Sequence, residues 1–166
     1  KFRLDYEGAR VLNINEDTHF TFKVKRFGDL LMDTYLVVTL PHIWSPLYPP
    51  QTATGEWIPY EFKWIEDLGT QMIKEITFTC GHTTLQRFSG DYLTAMVKRD
   101  FTNTKKDLYN EMTGNTSYFN DPANHGTRNN TYPNAYFDTT RGGAEPSIRG
   151  RNLYIPINCW FTLSSK

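Results

Sequence analysis

Residues 19–41 read HFTFKVKRFGDLLMDTYLVVTLP, and the pattern within this stretch decides the fold. In its first part, the apolar side chains of Phe20, Phe22 and Val24 alternate with polar ones. Such alternation is typical of a β-strand that buries one face and leaves the other in water. We therefore predict a strand over residues 19–25.

A turn and a second strand follow in the same stretch. Gly28 and Asp29 supply the turn chemistry, because Gly tolerates a positive φ and Asp hydrogen-bonds its own downstream backbone. Residues 34–40 are apolar on both faces apart from their threonines, and Pro41 ends the pattern because it cannot donate to a ladder. The second strand is therefore predicted to be covered on both sides.

Further strand patterns are spread over the rest of the chain. They cover residues 2–6, 10–14, 61–65, 73–80 and 152–163. Residues 84–88 are predicted to pair with the strand over 73–80 across a tight turn. In the last segment, Pro156 demands an edge position or a bulge. Many short strands and few helices indicate an all-β, antiparallel sandwich.

Two short helices are predicted within the connections of this sandwich. Ser89 is placed to cap the first, whose apolar residues recur at helical spacing: Tyr92, Leu93, Met96 and Val97. Thr104 is placed to cap the second, with Leu108 and Met112 on one face and Gly114 just past its end. We expect both helices to lie as lids over one end of the sandwich.

Bulk composition fits a single domain over residues 1–166. Eighteen basic residues balance eighteen acidic ones, and no basic stripe with interleaved aromatic residues is present, so direct binding of nucleic acid is not expected. No apolar run reaches the roughly 18 residues of a membrane-spanning segment. Because the chain starts without Met and ends after a strand pattern, we expect it to be a fragment.

Residues with catalytic or metal-binding chemistry are not grouped in the sequence. The four histidines, at positions 19, 42, 82 and 125, form no His-x-His or His-x-x-x-His pair, so a cupin-type metal site lacks its ligands. No Gly-x-Ser-x-Gly motif supplies a nucleophile. We therefore expect no enzyme activity, no catalytic residue, no metal and no cofactor.

The cysteines and the acidic pairs have structural explanations. Cys80 and Cys159 fall on inward strand positions, where a free Cys is usually a small buried hydrophobe. A disulfide between them requires the two strands to be neighbours. The acidic pairs at residues 16–17 and 66–67 are predicted to be solvated turn charges rather than a glycosidase pair.

The turn segment also carries a family resemblance. Residues 25–31 (KRFGDLL), followed by 35–41 (YLVVTLP), resemble the Arg-x-Gly-Asp-Leu…Leu-Pro signature of the major capsid proteins of nucleocytoplasmic large DNA viruses. Three more segments match in the same order: residues 64–69 with 73–81, residues 89–112, and residues 150–161 with their Leu-x-Ile-Pro-Ile…Trp-Phe ending. The resemblance covers most of the chain and is strongest to mimivirus-like and phycodnavirus-like members.

This resemblance implies a fold and an assembly. The fold is the N-terminal jelly roll of a double jelly-roll capsid protein, with helices inserted in its long connections. Family members carry an additional N-terminal segment, and a second jelly roll beyond the position of Lys166. The implied assembly is a homotrimeric capsomer of pseudo-hexagonal outline. In the virion it would contact neighbouring capsomers and minor capsid proteins, after assembly in the host cytoplasm.

Two long connections, residues 41–59 and 114–150, carry the candidate contact residues. Exposed aromatic side chains on proline-fixed loops mark contact surfaces, and the family uses such loops for trimer contacts. Plain surface loops are the alternative. The residues predicted to make intersubunit contacts are Trp44, Tyr48, Trp57, Tyr132 and Tyr136. Gly28 and Asp29 are assigned to the family turn.

Carbohydrate enters the sequence interpretation in two ways. Asn115 and Asn129 begin glycosylation sequons in the second long connection, and both are taken as unmodified by default. The alternative function is a carbohydrate-binding jelly-roll module, in which the loop aromatics serve as stacking platforms for sugars. Glycan binding by the monomer would distinguish this module from a self-assembling shell protein.

Overall fold

The computed structural model describes residues 2–8, 12, 15–45, 61–126, 128–130, 132, 136–138 and 143–163. The chain divides into two compact units, Lys1–Met32 and Asp33–Lys166. The strands are β1 Glu7–Gly8, β2 Phe20–Thr21, β3 Thr34–Thr39, β4 Ile76–Cys80, β5 Thr83–Phe88, β6 Tyr136–Asp138, β7 Gly143–Glu145 and β8 Asn152–Ile157. The helices are α1 Leu68–Gln71, α2 Gly90–Asp100, α3 Asn103–Thr113, α4 Ser117–Asn120 and α5 Trp160–Leu163, with a 3-10 turn at Pro122–Asn124.

The described part of the chain is mixed rather than purely β. About 28% of the described residues are helical and 24% are in strands. Four two-stranded antiparallel sheets pair β1 with β2, β3 with β8, β4 with β5, and β6 with β7. The predictions of short antiparallel strands and of helices in the connections are confirmed. The closure of these strands into one all-β sandwich stays a prediction.

The unit Lys1–Met32 contains two extended segments that run side by side. β1 and β2 form a short antiparallel ladder. Beyond this ladder the Tyr6 ring lies against the rings of Phe20 and Phe22, at centroid distances of 5.2 and 6.2 Å. The strand predicted over residues 19–25 is therefore assigned only at Phe20–Thr21, and that predicted over 2–6 is extended chain leading into β1.

The structure confirms a turn after residue 26 but not the prediction that its glycine has a positive φ. The chain bends at residues 27–29, where Arg26 donates a hydrogen bond to Asp29 at 3.2 Å. Gly28 does not have a positive φ, and a Cβ added to it would meet no described atom within 4 Å. The expectation that this turn needs glycine for a positive φ is therefore wrong.

The unit Asp33–Lys166 is organised by the pairing of β3 with β8. The antiparallel ladder runs from Thr34 opposite Ile157 to Thr39 opposite Asn152. On the inner face of this sheet, the side chains of Leu153 and Ile155 are 0% exposed. Around them the core collects residues from β5, α1, α2 and α4: Leu68, Phe88, Leu93, Met96 and Phe119.

The outer face of the same sheet is exposed. The side chains of Tyr35, Val37 and Tyr154 are 42, 52 and 43% exposed. In the described part of the chain, β3 is therefore covered on one side only, contrary to the prediction for residues 34–40. The sheet presents to solvent an apolar surface that its sequence pattern marks for burial.

β8 ends earlier than the sequence pattern indicates. Among the described residues it has one ladder neighbour, β3, which is compatible with the edge position, one of the two alternatives that Pro156 allows. After Ile157 the chain turns, because the amide of Cys159 donates to the carbonyl of Ile157 at 3.0 Å, and α5 follows. The prediction of one strand over residues 152–163 is therefore wrong beyond Ile157.

Of three further predicted strands, two need correction, and one lies almost entirely outside the described residues. Residues 61–65 belong to no strand, and the amide of Trp64 donates to the carbonyl of Phe119 at 2.9 Å. The strand predicted over 73–80 begins at Ile76 and pairs with β5, as predicted for the hairpin. Residues 10–14 lie, apart from Leu12, outside the described residues.

The two cysteines have different environments. Cys159 is buried, as predicted, and this burial raises the pKa of its thiol. Cys80 is exposed, so the prediction of an inward position is wrong. Cys80 is the last residue of β4, beside the turn of the hairpin, and the pairing before it is irregular because it skips Leu85 of β5. Both thiols are free.

The first predicted helix is confirmed as α2. The Ser89 side chain accepts a hydrogen bond from the amide of Tyr92 at 3.4 Å, which is the predicted cap. Leu93, Met96 and Val97 are 0, 2 and 5% exposed, and they form the face that packs on the core.

The second predicted helix exists as α3 but begins earlier. Its N-cap is Thr102 rather than Thr104, while Gly114 ends it with a φ of 83°, as predicted. Leu108 is 61% exposed, and the buried residues are Tyr109 and Thr113. The buried face is thus rotated by one residue from the predicted one.

The start of α2 requires a residue without a side chain. A Cβ at Gly90 would lie 1.9 Å from the carbonyl oxygen of Thr70 and 2.7 Å from that of Ile73. The amide of Gly90 donates to this second carbonyl at 3.1 Å. The hydroxyls of Thr70 and Thr94 also share a hydrogen bond of 2.8 Å, so α1 and α2 are held at very short range.

We predict that Gly90→Ala destabilises the fold by more than about 2 kcal/mol, because the carbonyl it meets is backbone and cannot rotate away. Gly28→Ala is the matched control and should change the free energy of unfolding by less than about 0.5 kcal/mol. Urea unfolding of both variants measures the difference. Equal stability of the two variants would contradict the packing described for α1 and α2.

Tyr109 is the most unusual polar residue of the core. It is 2% exposed, and its hydroxyl has no hydrogen-bond partner among the described residues. Burial, and secondarily the nearby carboxylate of Asp67, raise the pKa of Tyr109 to about 12. The folded chain therefore holds this proton at a pH where the unfolded chain, with a Tyr pKa of about 10, releases it.

We predict that Tyr109→Phe leaves stability at pH 7 unchanged or raises it by about 1 kcal/mol, because it removes a buried polar group without a partner. The wild-type chain should lose stability as the pH rises from about 10 to 12, and the variant should lose less. Tyr118→Phe is the control, because the Tyr118 hydroxyl accepts a hydrogen bond from the amide of Arg149. A clear destabilisation by Tyr109→Phe at pH 7 would show that its hydroxyl is paired.

Candidate assembly surface

The segment that follows β3 is fastened to the segment that precedes β8. We call residues 40–45 together with residues 147–151 the seam. The amide of Leu40 donates to the carbonyl of Arg151 at 2.8 Å, which extends the ladder by one step. Further along, Ile43 pairs with Ile148, with its amide 2.9 Å from the partner carbonyl. The seam therefore continues the β3–β8 sheet into the two long connections.

Side chains complete the seam where the backbone ladder is interrupted. The amide of Gly150 donates to Nδ1 of His42 at 3.0 Å, so this ring nitrogen acts as the acceptor. The hydroxyls of Ser45 and Ser147 lie 2.7 Å apart. These bonds order both segments, because they satisfy polar groups at each interruption.

Gly150 also sets how closely the two segments approach. A Cβ at this position would lie 2.5 Å from the carbonyl oxygen of Leu40. Leu40 and Ile148 are buried at 7 and 1% exposure, so the seam is anchored in the core on its inner side. A larger residue at position 150 would push this anchored backbone apart.

Trp44 lies on the seam with its side chain 55% exposed. Its neighbours Ile43 and Ser45 are hydrogen-bonded across the seam, so the backbone on both sides of Trp44 is ordered. Exposed aromatic side chains are enriched at protein contacts. The contact role of Trp44 stays a prediction.

The other predicted contact residues are described less fully. Tyr48 and Trp57 lie outside the described residues. Tyr132 is half-buried, and Tyr136 begins β6, where its backbone pairs with Glu145. A common contact surface for the five residues stays a prediction.

Sequence interpretation missed the polar residues of the seam. The sequence suggests for His42 only a role as a metal ligand, and it indicates no contact role for Ser45, Ser147 or Gly150. Gly150 and His42 are separated by 108 residues in the chain. No local pattern marks such a pairing, whereas the strand patterns that bring the two segments together were visible.

The side chain of Asn115, which begins the first sequon, is hydrogen-bonded to other residues of the folded chain. Its side-chain amide donates to Asp67 at 3.1 Å, and its side-chain oxygen accepts from Asn120. Asp67 lies in a turn directly before α1, as predicted, with a φ of 52°, but it is half-buried and its carboxylate accepts the bond from Asn115, so it is not a plain solvated charge. Asn129 is exposed. The half-buried, engaged amide of Asn115 disfavours a glycan in the folded chain.

We predict that Asn115→Ala destabilises the fold by about 1–3 kcal/mol, because it leaves Asp67 and Asn120 without this partner in a partly buried place. Asn103→Ala, at the exposed start of α3, is the control and should have an effect below about 0.5 kcal/mol. Thermal or urea unfolding measures both. Similar stabilities for the two variants would contradict a structural role for the Asn115 side chain.

The described residues contain neither a cluster of metal ligands nor a membrane-spanning helix. No group of three or more His, Cys, Asp or Glu residues within the described ranges is arranged to hold a metal ion. Within the same ranges, no helix is long and apolar enough to cross a membrane. His125 lies against the Tyr118 ring at a centroid distance of 5.2 Å and 3.3 Å from the Ser117 hydroxyl, so it packs as a local structural residue.

Comparison with known families decides where this chain belongs. The sequence model of the family described as "Major capsid protein N-terminus" matches residues 5–166. The chain belongs to the major capsid protein family. This result confirms the large DNA virus resemblance found in the turn segment and in the three segments that follow it.

Individual relatives of this capsid-family chain agree with the family match. The major capsid protein of Invertebrate iridescent virus 3 is 26% identical over 144 residues, which cover 87% of this chain and 26% of the relative. Those of Tipula iridescent virus and Simulium iridescent virus are each 25% identical over 144 residues, or 86% of this chain. The chain spans about a quarter of the length of these relatives. No solved structure matches it significantly.

Proposed function

We propose that this chain is the N-terminal part of a structural protein of the shell of a large icosahedral DNA virus. The observation that carries the proposal is the family match over residues 5–166. The protein acts without catalysis: its sheet and helices form a rigid block, and its surfaces bind other copies. It resides in the virion, after assembly in the host cytoplasm.

The finer fold is a jelly roll, the first of two in the full-length protein, formed as one domain over residues 1–166. The exposed outer face of the β3–β8 sheet supports this proposal. Tyr35, Val37 and Tyr154 make that face apolar, and an apolar sheet face is stable when a second sheet packs on it at about 10 Å. The two-stranded sheets seen here are then parts of larger sheets.

The assembly is a homotrimeric capsomer that contacts neighbouring capsomers and minor capsid proteins. Trp44 supports this proposal, because a half-exposed indole on the ordered seam has the properties of an interface anchor. Threefold symmetry would repeat each contact three times, so a modest contact per subunit suffices. Tyr48, Trp57, Tyr132 and Tyr136 are proposed as further contacts, and Gly28 and Asp29 as the family turn.

We predict that Trp44→Ala in the full-length protein lowers the yield of capsomers or shells at least about tenfold, because loss of an anchor Trp typically costs more than 2 kcal/mol. The melting transition should change little, since this side chain is half in water. Leu108→Ala is the control, because Leu108 is similarly exposed, at 61%, on α3. Size-exclusion chromatography and electron microscopy measure assembly.

A Trp44→Ala protein that forms normal capsomers would contradict the contact role of Trp44. Equal losses from both variants would also contradict it, because the effect would then not be specific to the seam. If the monomer instead binds glycans and forms no larger assembly, the shell function itself fails.

A further inference from the structure

A cavity of about 280 Å³ lies between α2, α3 and the residues just before α1. We call it the helix cavity. Its volume is at the lower end of the range for ligand sites and equals that of about nine water molecules in the liquid. A ligand that fits it is therefore small, about the size of one six-membered ring with its substituents. The polar residues of its walls that matter here are Glu66, Asp67, Lys98, Lys106, Tyr109 and Asn110.

The hydroxyl of Tyr109 is a polar group that the fold leaves unused. Tyr109 lines the helix cavity together with Asp67, yet it is only 2% exposed, and its hydroxyl has no hydrogen-bond partner among the described residues. Besides burial, the charge of Asp67 raises the pKa of Tyr109, so the hydroxyl lies near this carboxylate without bonding to it. A buried polar group without a partner costs stability, so folding does not explain this hydroxyl.

The groups around this hydroxyl are held in place by the fold. The Phe101 ring meets the Tyr109 ring edge to face, at a centroid distance of 6.1 Å. The Asp67 carboxylate accepts a hydrogen bond from the Asn115 amide at 3.1 Å. The Asp67 carbonyl accepts bonds from the backbone amide and the hydroxyl of Thr70. A ligand therefore meets groups that are already ordered, and little entropy is lost in arranging them.

The charges of the helix cavity balance. Glu66 and Asp67 supply two negative charges, and two lysines supply two positive ones. None of these four side chains forms an ion pair with another described residue. A cation would be repelled by the lysines and an anion by the carboxylates. The cavity therefore favours a neutral ligand that both donates and accepts hydrogen bonds.

We propose that the helix cavity binds a neutral, hydroxyl-rich ligand of the size of one sugar residue. A hydroxyl both donates and accepts, so one ligand hydroxyl is able to donate to the Asp67 carboxylate and accept from Tyr109. The Lys106 ammonium and the Asn110 amide are donors for neighbouring oxygens of the ligand. Because the hydrogen bonds are few and the cavity is small, we expect a Kd on the order of 1 mM.

This site differs from the carbohydrate-binding module that is the alternative function in the sequence interpretation. That module would use exposed loop aromatics such as Trp44 as stacking platforms, whereas the ring of Tyr109 is buried. The inference goes beyond the proposed shell function, since it adds a ligand and leaves the contacts between copies unchanged.

The test is saturation-transfer NMR of the full-length protein with a panel of free neutral hexoses. We expect at least one hexose to bind, with a Kd that rises at least about fivefold in Tyr109→Phe, because this variant lacks one hydroxyl partner of the ligand. Tyr118→Phe is the matched control: it removes a hydroxyl outside the cavity and should leave the Kd unchanged. Melting curves of both variants show that they are folded.

A pair of neighbouring lysines on α3 provides a second measurement. Lys106→Gln should weaken binding of the same hexose at least about threefold, because it removes a charged donor from the cavity. Lys105→Gln is the control, because Lys105 lies outside the cavity, with its ammonium over the Phe101 ring. It should leave the Kd unchanged.

Four outcomes would overturn the proposal. They are no binding by any hexose of the panel, equal affinities of the wild type and Tyr109→Phe, equal effects of the two lysine variants, and tighter binding of inorganic phosphate than of every hexose. Trp44 is intact in all these proteins, and size-exclusion chromatography of the same samples reports on assembly. Sugar binding and the shell function therefore fail separately.

Discussion

The structure of the larger unit depends on the pairing of β3 with β8. Thr39 and Asn152 face each other across this ladder although 113 residues separate them in the chain, and their side chains share a hydrogen bond of 2.8 Å. Closing so long a loop costs conformational entropy, which the burial of Leu153 and Ile155 against the helices offsets. The seam is the continuation of this ladder. It orders the start of one long connection and the end of the other.

The outer face of the β3–β8 sheet is apolar and is exposed in the described part of the chain. Strands with one uncovered apolar face and an unpaired edge are prone to bind further polypeptide. A shell protein has such polypeptide available, both in the remainder of its own chain and in its neighbours. The short sheets of the described chain are consistent with that dependence.

Short sequence patterns predicted the strands and the helix start that depend mainly on residues close together in the chain. β3 and β8 followed from their apolar patterns, and the start of α2 followed from the cap at Ser89. Sequence patterns failed where a distant contact decides the outcome. The bond from Asn115 to Asp67 depends on a tertiary neighbour, and so does the seam on which Trp44 lies. The family turn motif was therefore more informative about function than any single side chain.

The central claim is that this chain forms part of a virus shell through contacts between copies. Cryo-electron microscopy of purified particles that carry the full-length protein tests it most directly. The account predicts density for residues 1–166 within a trimeric capsomer, with the β3–β8 sheet packed against a second sheet and Trp44 at a contact between subunits. Absence of this segment from the shell lattice would contradict the account.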